Sequence, residues 1–258
     1  MERNPLEHLL KYNMDIGKTK PNTVRKASTY CPFCDATNLK NILEKRDTMI
    51  WLENAYPVLK DTWQTLVIES DKCNDDFSSY SLAYAVNLIS FCLEKWNQVK
   101  AMNEFASVLL YRNYGRMSGG SIHHPHSQII GLKNYDYHED IKHYHFIGTP
   151  LLHEESLEIN LSIRPIIGFY EINFIIKNHY ALNDPVLYMQ KTAHYILTQI
   201  SHSYNVFYYD FPGDTNLYVK IVPRFLTNPL FVGYMVPQIA TEEETTPFID
   251  KLKQAILT

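Results

Sequence analysis

The stretch SGGSIHHPHSQIIGL, residues 118–132, sets three histidines around one proline, between a glycine pair and an apolar run. In extended backbone, side chains at i, i+2 and i+4 share a face. His124, His126 and Gln128 therefore project to one side, and Pro125 and Ser127 to the other. Proline is tolerated where a strand begins or runs at an edge, so the stretch is read as a loop entering the sheet at His124, with a strand over 126–132. Gly119 and Gly120 lack side chains that would keep backbone N–H groups away from phosphate oxygens. Neutral imidazole is a good nucleophile toward phosphorus, and its adduct passes the group onward. One histidine held by a metal, with the next presented to a substrate one pleat further on, accounts for the crowding. Histidines on a plain strand edge would leave the glycine loop and the glutamine without a reason.

The metal reading draws on CPFC at 31–34, whose two-residue gap lets two thiolates face one tetrahedral centre. The same gap occurs in thioredoxin-like redox pairs, but those follow a strand, and here a polar arm precedes it. Two more ligands are needed. Cys73, polar-flanked in DKCND just beyond a strand candidate, is the third; Cys92 sits beside Phe91 and Leu93 in a helical pattern and reads as core. The fourth comes from the cluster His123, His124 and His126. Three thiolates and one imidazole leave no open position, so the zinc is expected to be structural.

A chain of 258 residues has room for one large domain or two small ones. It carries 24 Lys and Arg against 28 Asp and Glu, so no broad basic face for nucleic acid is expected. No apolar run has the length of a membrane span, and the start, MERNPLEHLLKYNM, lacks a signal-peptide core. The expected location is cytoplasmic, with the cysteines free or metal-bound rather than disulfide-paired.

Residues 1–30 read as an irregular polar arm. Strands are predicted at 49–52, 63–69 and 106–112. Leu82, Ala85, Val86, Ile89, Leu93 and Trp96 recur at helical spacing and predict a long helix over about 77–103. The order returns further on: a strand at 172–177, a helix at 184–201 opened by Asp184 and Pro185, and strands at 206–211 and 217–225. The predicted fold is α+β, with two similar halves, 1–135 and 136–258, each a mostly antiparallel sheet with one long helix. Residues 133–158 are read as the connection.

The combination of NxG, SxxHPHSQI and an upstream CxxC resembles the galactose-1-phosphate uridylyltransferase family of the histidine-triad superfamily, over most of the chain. The resemblance implies a nucleotidyltransferase acting on a nucleotide sugar through a covalent nucleotidyl-histidine. It implies His126 as the nucleophile and Gln128 as the donor to the transferred phosphate. Ser121 and Asn113 match phosphate-side contacts in the loop, and Asn54 matches an asparagine near the nucleotide. Cys31, Cys34 and His124 match three zinc ligands, and Cys73 falls where the family usually has a histidine. KTKP at 18–21 resembles a basic arm that reaches phosphates. FVGYMVP at 231–237 resembles a segment near the sugar, with Met235 in place of a glutamate. Some members hold a second metal through LHAHFYP; here the stretch is LYVKIVP, with Tyr218 and Lys220 in the histidine places, so no second metal is expected.

The implied partners are a nucleotide sugar and a sugar phosphate or phosphate acceptor, with no nucleic acid and no membrane; a homodimer follows from the dimeric relatives. Two other functions stand beside transfer: a phosphorylase or hydrolase of nucleotide sugars or dinucleotides, and a non-catalytic nucleotide-binding zinc protein. Lys220 is read as a solvated strand residue in preference to a phosphate contact. HEDIKHYH at 138–145 is read as polar linker, Phe207 to Tyr209 as a strand covered on both faces, and EEETT at 242–246 as a helix start or linker.

Overall fold

A computed structural model describes residues 9–24, 30–177 and 182–258. The remainder of the N-terminal arm, at 1–8 and 25–29, lies outside the described residues. The chain forms two compact units. The described residues of Met1–Asp76, Asn87–Asn113 and Gly119–Asp140 make the first, and those of Phe77–Val86, Tyr114–Ser118 and Ile141–Thr258 the second.

In the first unit, β1 (Ile42–Arg46), β2 (Met49–Glu53) and β3 (Thr62–Ile68) form an antiparallel meander. Helix α2 (Leu82–Lys100) then leads to β4 (Ser107–Tyr114) and β5 (His126–Leu132). The order is β1-β2-β3-β5-β4, because β5 inserts between β3 and β4 and pairs antiparallel with both. The buried positions of α2, among them Leu88, Ile89, Phe91, Cys92, Trp96 and Val99, follow the predicted helical spacing. Cys92 is core, as its neighbours suggested, and the Trp96 indole N–H donates to the Val108 carbonyl at 2.8 Å.

The second unit runs through the same sequence of elements: β6 (Gly148–His153), β7 (Leu157–Ser162), β8 (Ile172–Ile176), α3 (Asn183–Tyr195), β9 (Tyr204–Tyr209) and β10 (Leu217–Pro223). Its order, β6-β7-β8-β10-β9, repeats that of the first unit, again with antiparallel pairing. The predicted fold class of two like α+β halves is therefore the observed one. The α3 pattern runs on as a π-helical turn, Ile196–Ile200, accounting for the predicted extension to 201. Helix α5 (Glu242–Leu257) starts within the EEETT run; Thr241 and Glu244 form a reciprocal capping box, and Ile249, Leu252 and Ile256 are buried at helical spacing. Among the described residues no helix is long and apolar enough to cross a membrane.

Several local expectations are corrected. The arm carries a short helix, α1 (Met14–Thr19), capped by Asn13, whose side-chain oxygen accepts from the Asp15 and Ile16 N–H groups. Residues 133–158 contain two 3-10 turns, β6 and the first residues of β7, and β1 was not foreseen at all. The 138–145 run is not simple linker. His138 Nδ1 lies 2.5 Å from Asp136, and the His143 ring stacks on Phe211 at 3.9 Å with its Nε2 3.2 Å from Asp214.

Lys220 is neither solvated nor a phosphate contact. It is fully buried in β10, where its ammonium pairs with Glu171 at 2.9 Å. It also donates to the Asn173 side-chain oxygen at 2.7 Å and the His145 carbonyl at 2.8 Å. Burial pushes its pKa down, against the pull of Glu171. Glu171 in turn accepts from the Ile166 and Ile167 N–H groups. Every residue of β10 is buried, so both faces of the strand are covered and the charge requires a built-in counter-ion. Tyr218, the other residue in the histidine places, packs with Phe146, Ile175 and Phe211 and donates its hydroxyl to Asp214 at 2.6 Å.

Removing one partner of such a pair leaves an uncompensated buried charge. Glu171→Ala should lower unfolding free energy by about 3–5 kcal/mol, read from urea denaturation. The double variant Lys220→Met, Glu171→Leu should recover most of that loss.

Candidate active site and metal centre

The β3–β5 ladder builds the site. Ile68 pairs with His126 and Leu66 with Gln128. The ladder runs one step past the strands, where the Glu69 N–H donates to the Pro125 carbonyl at 3.1 Å. This places the loop after β3, with Ser70 and Cys73, beside His124. The His124 Nε2–H donates to the Ser70 carbonyl at 2.8 Å, because a carbonyl can only accept. Its Nδ1 lone pair then faces the thiols, 3.7 Å from Cys31 Sγ and 3.4 Å from Cys34 Sγ.

The ligand atoms of Cys31, Cys34, Cys73 and His124 all lie within 4.8 Å of one another. A tetrahedral zinc with thiolate and imidazole ligands has edges of about 3.7 Å, close to both His124 distances. The backbone hydrogen bond at Nε2 also fixes the tautomer that ligation through Nδ1 requires. Burial pushes the Cys31 thiol up, but its contact with the His124 ring and the Phe33 and Cys34 N–H groups outweigh it and bring it to about 6. Cys73 is pushed up to about 12, by burial first and then by the other two thiols. Three thiolates this close need a cation among them, and the donor set fits a structural zinc.

His126 follows two residues on and is buried. Its Nδ1–H donates to the His124 carbonyl at 2.8 Å, which leaves the lone pair on Nε2. Burial, reinforced by the cations of Arg112 and Lys20, holds its pKa down at about 4 against the His124 carbonyl. Phe33 presents its ring edge-on to both imidazoles, at 5.9 Å from His124 and 5.3 Å from His126. On the other face of β5, the Ser127 hydroxyl donates to Glu69 at 2.9 Å, and Glu69 pairs with Arg112 at 3.0 Å, all buried.

His126 and Gln128 line a cleft of about 220 Å³ in the first unit. Asn54, Gly119, Gly120 and Ser121 line it too, so the structure brings these six predicted site residues together. Asn113, in β4, is not among the lining residues. Of the KTKP stretch, Lys20 and Pro21 reach the cleft, while Lys18 stays exposed, 3.6 Å from Asp15. Burial lowers the pKa of Lys20. Gly119 has φ +87, a conformation that side chains resist, and a Cβ there would meet nothing within 4 Å, so the backbone is bare toward the cleft. The arm fastens the glycine loop: the Thr23 and Val24 N–H groups donate to the Ser121 carbonyl at 2.8 and 3.2 Å, and the His123 N–H donates to the Thr23 hydroxyl at 2.8 Å. Apolar walls come from Phe33, Leu39, Leu52 and Leu66. The lining offers Lys20 and the glycine loop to an anion and apolar side chains to a flat apolar group. Sequence reasoning missed Thr23 and the Glu69–Arg112–Ser127 network; Glu69, a lone carboxylate ending the apolar run TLVI, was the one available signal. Met235, noted for its place in 231–237, is an exposed residue of the second unit that ends α4 (Pro229–Tyr234) in left-handed backbone.

Metal analysis of the purified chain should give one zinc per molecule. Cys73→Ala should lose the metal and lower the thermal midpoint by roughly ten degrees, whereas Cys73→His should retain both.

Two family models match the chain: the N-terminal domain of a domain of unknown function, DUF4931, over residues 12–135, and the DUF4931 C-terminal domain over residues 138–254. No curated protein matches it by sequence. Among solved structures, a DUF4931 family protein from Bacillus cereus ATCC 10987 is 40% identical with a TM-score of 0.75, over 84% of this chain and 100% of that one. A uridylyltransferase structure has 17% identity and a TM-score of 0.70, over 90% and 94%. An ADP-glucose phosphorylase from Arabidopsis thaliana, with ADP-glucose bound, has 16% identity and a TM-score of 0.68, over 92% of each. These two share the chain's fold. By both family models and the 40% identical structure, the chain belongs to the DUF4931 family.

Proposed function

We propose that the protein transfers a nucleotidyl group from a nucleotide sugar, through a covalent intermediate on His126, to a sugar phosphate or phosphate. The observation that carries this reading is the His126 ring: Nδ1–H committed to the His124 carbonyl, the Nε2 lone pair left, and the side chain at the wall of a cleft that also holds Lys20 and a bare glycine loop. In the first step Nε2 attacks the α-phosphorus. The bond from phosphorus to the bridging oxygen breaks, and its electron pair leaves with the sugar phosphate. Nδ1 keeps its proton, so the phosphorylated ring is cationic and its hydrogen bond to the His124 carbonyl strengthens as charge develops. In the second step an acceptor phosphate oxygen attacks the same phosphorus and the P–N bond breaks, returning the lone pair to Nε2.

Gln128 and backbone N–H groups of the glycine loop stabilise the charge on the phosphoryl oxygens, and Lys20 neutralises the remainder of the diphosphate. Asn54 and the apolar walls hold the nucleoside. Zinc in Cys31, Cys34, Cys73 and His124 supplies no chemistry to the reacting atoms; it fixes the ring and carbonyl of His124, on which His126 is aligned. The likeness in fold to a uridylyltransferase and an ADP-glucose phosphorylase supports chemistry on nucleotide compounds.

Intact-mass analysis after mixing with UDP-glucose or ADP-glucose is expected to show an increase equal to one nucleotidyl group, a nucleoside monophosphate less one water. His126→Ala should abolish it, and Gln128→Ala should slow its formation on the order of a hundredfold. Release of the group by phosphate, by a sugar phosphate or by water alone distinguishes a phosphorylase, a transferase and a hydrolase. Nucleotide binding with no mass increase would leave a non-catalytic binding protein.

A further inference from the structure

We infer that Tyr111, outside the cleft, is the positioning residue that decides which end of the Gln128 amide faces the substrate. The inference rests on the function proposed above. Tyr111 lies on β4 directly across from Gln128 on β5. Its hydroxyl donates to Gln128 Oε1 at 3.1 Å. Gln128 lines the cleft and Tyr111 is not among the lining residues; directly paired side chains share a face of the sheet, so the phenol holds the amide from beside it.

A phenol hydroxyl can donate and accept, but its oxygen lone pair is shared with the ring, so it donates more strongly than it accepts and takes the amide oxygen in preference to the NH2 group. A primary amide is an acceptor at one end and a donor at the other, with nearly the same shape. Facing phosphate oxygens, Nε2 donates a hydrogen bond, whereas Oε1 would meet them lone pair to lone pair. With Oε1 held by Tyr111, the NH2 group is the end left for the phosphoryl oxygens. Burial pushes the Tyr111 pKa up to about 12, so the phenol keeps its proton and remains a donor across the whole physiological range. An amide fixed before the reaction has no reorientation to perform as charge develops, which is the condition under which such a donor contributes most.

The test compares wild type, Tyr111→Phe, Gln128→Ala and the double variant, with UDP-glucose and ADP-glucose as probes. Tyr111→Phe keeps the ring and its packing, so zinc content and thermal midpoint should stay at wild-type values. The rate of covalent nucleotidyl attachment should fall roughly fivefold to tenfold. Because the interaction acts on developing charge, the fall should appear in kcat with KM for the donor unchanged. The double variant should react at the rate of Gln128→Ala alone, because a positioning residue has nothing to position once its partner is gone. If wild type forms the adduct and Tyr111→Phe forms it equally fast, the assignment is overturned and the proposed function stands. It is also overturned if the two substitutions slow the reaction by independent factors. A wild-type protein that forms no adduct from either probe overturns both together.

Discussion

The site depends on the register in which β3 meets β5. With Ile68 opposite His126, the next backbone hydrogen bond joins Glu69 to Pro125 and draws Ser70 and Cys73 to His124. A slip of one residue would turn His126 and Gln128 to the opposite face and Ser127 into the cleft. Two features hold the register on the two faces of β5. On one, His124 joins a CxxC pair and a third thiol in a cluster that fits a metal. On the other, the Ser127 hydroxyl is tied to the buried Glu69–Arg112 pair. Neither feature suffices alone: a thiol cluster without its strand pairing lacks the histidine, and the ion pair has no hold on the arm that carries Cys31 and Cys34.

The two units share an order of elements and have diverged in what they bury. The first gathers three thiols, one of them exposed, around a buried imidazole, a set suited to a cation that must be acquired. The second buries Lys220, an ammonium that is part of the chain, against Glu171 and two oxygen acceptors. The covalent one asks for no open coordination position and leaves no mobile proton acceptor facing a substrate. The chemistry is accordingly assigned to the first unit, where a lone pair, a bare glycine loop and Lys20 meet in one cleft.

Much of this was legible in the sequence, for specific reasons. CxxC is a local pattern whose spacing points to a metal and Cys73 was added for its polar setting, but the choice of His124 among three histidines came from the family resemblance; the four ligand atoms do lie together. The duplicated order was legible because α2 and α3 carry strong helical periodicity and the strands around them are β-branched or aromatic. What was lost depends on register between distant segments. Nothing within the sequence joins Tyr111 to Gln128, Arg112 to Glu69, or Lys220 to Glu171; each pair meets only once particular strands are paired. Lys220 was misread because the residues of one strand do not say whether both of its faces are covered. The 133–158 region was misread because its polar residues satisfy one another locally, as His138 does with Asp136, and so look like linker while forming turns and strands.

The central claim is that one ring nitrogen, Nε2 of His126, carries the transferred group while Nδ1 stays bonded to the backbone of a metal ligand. The most direct measurement is 31P NMR of the trapped adduct in protein labelled with 15N at histidine, with the modified peptide then mapped. The account expects a phosphoramidate signal coupled to Nε2 of His126. Coupling to Nδ1, or a phosphoester signal mapping to Ser121, would contradict it.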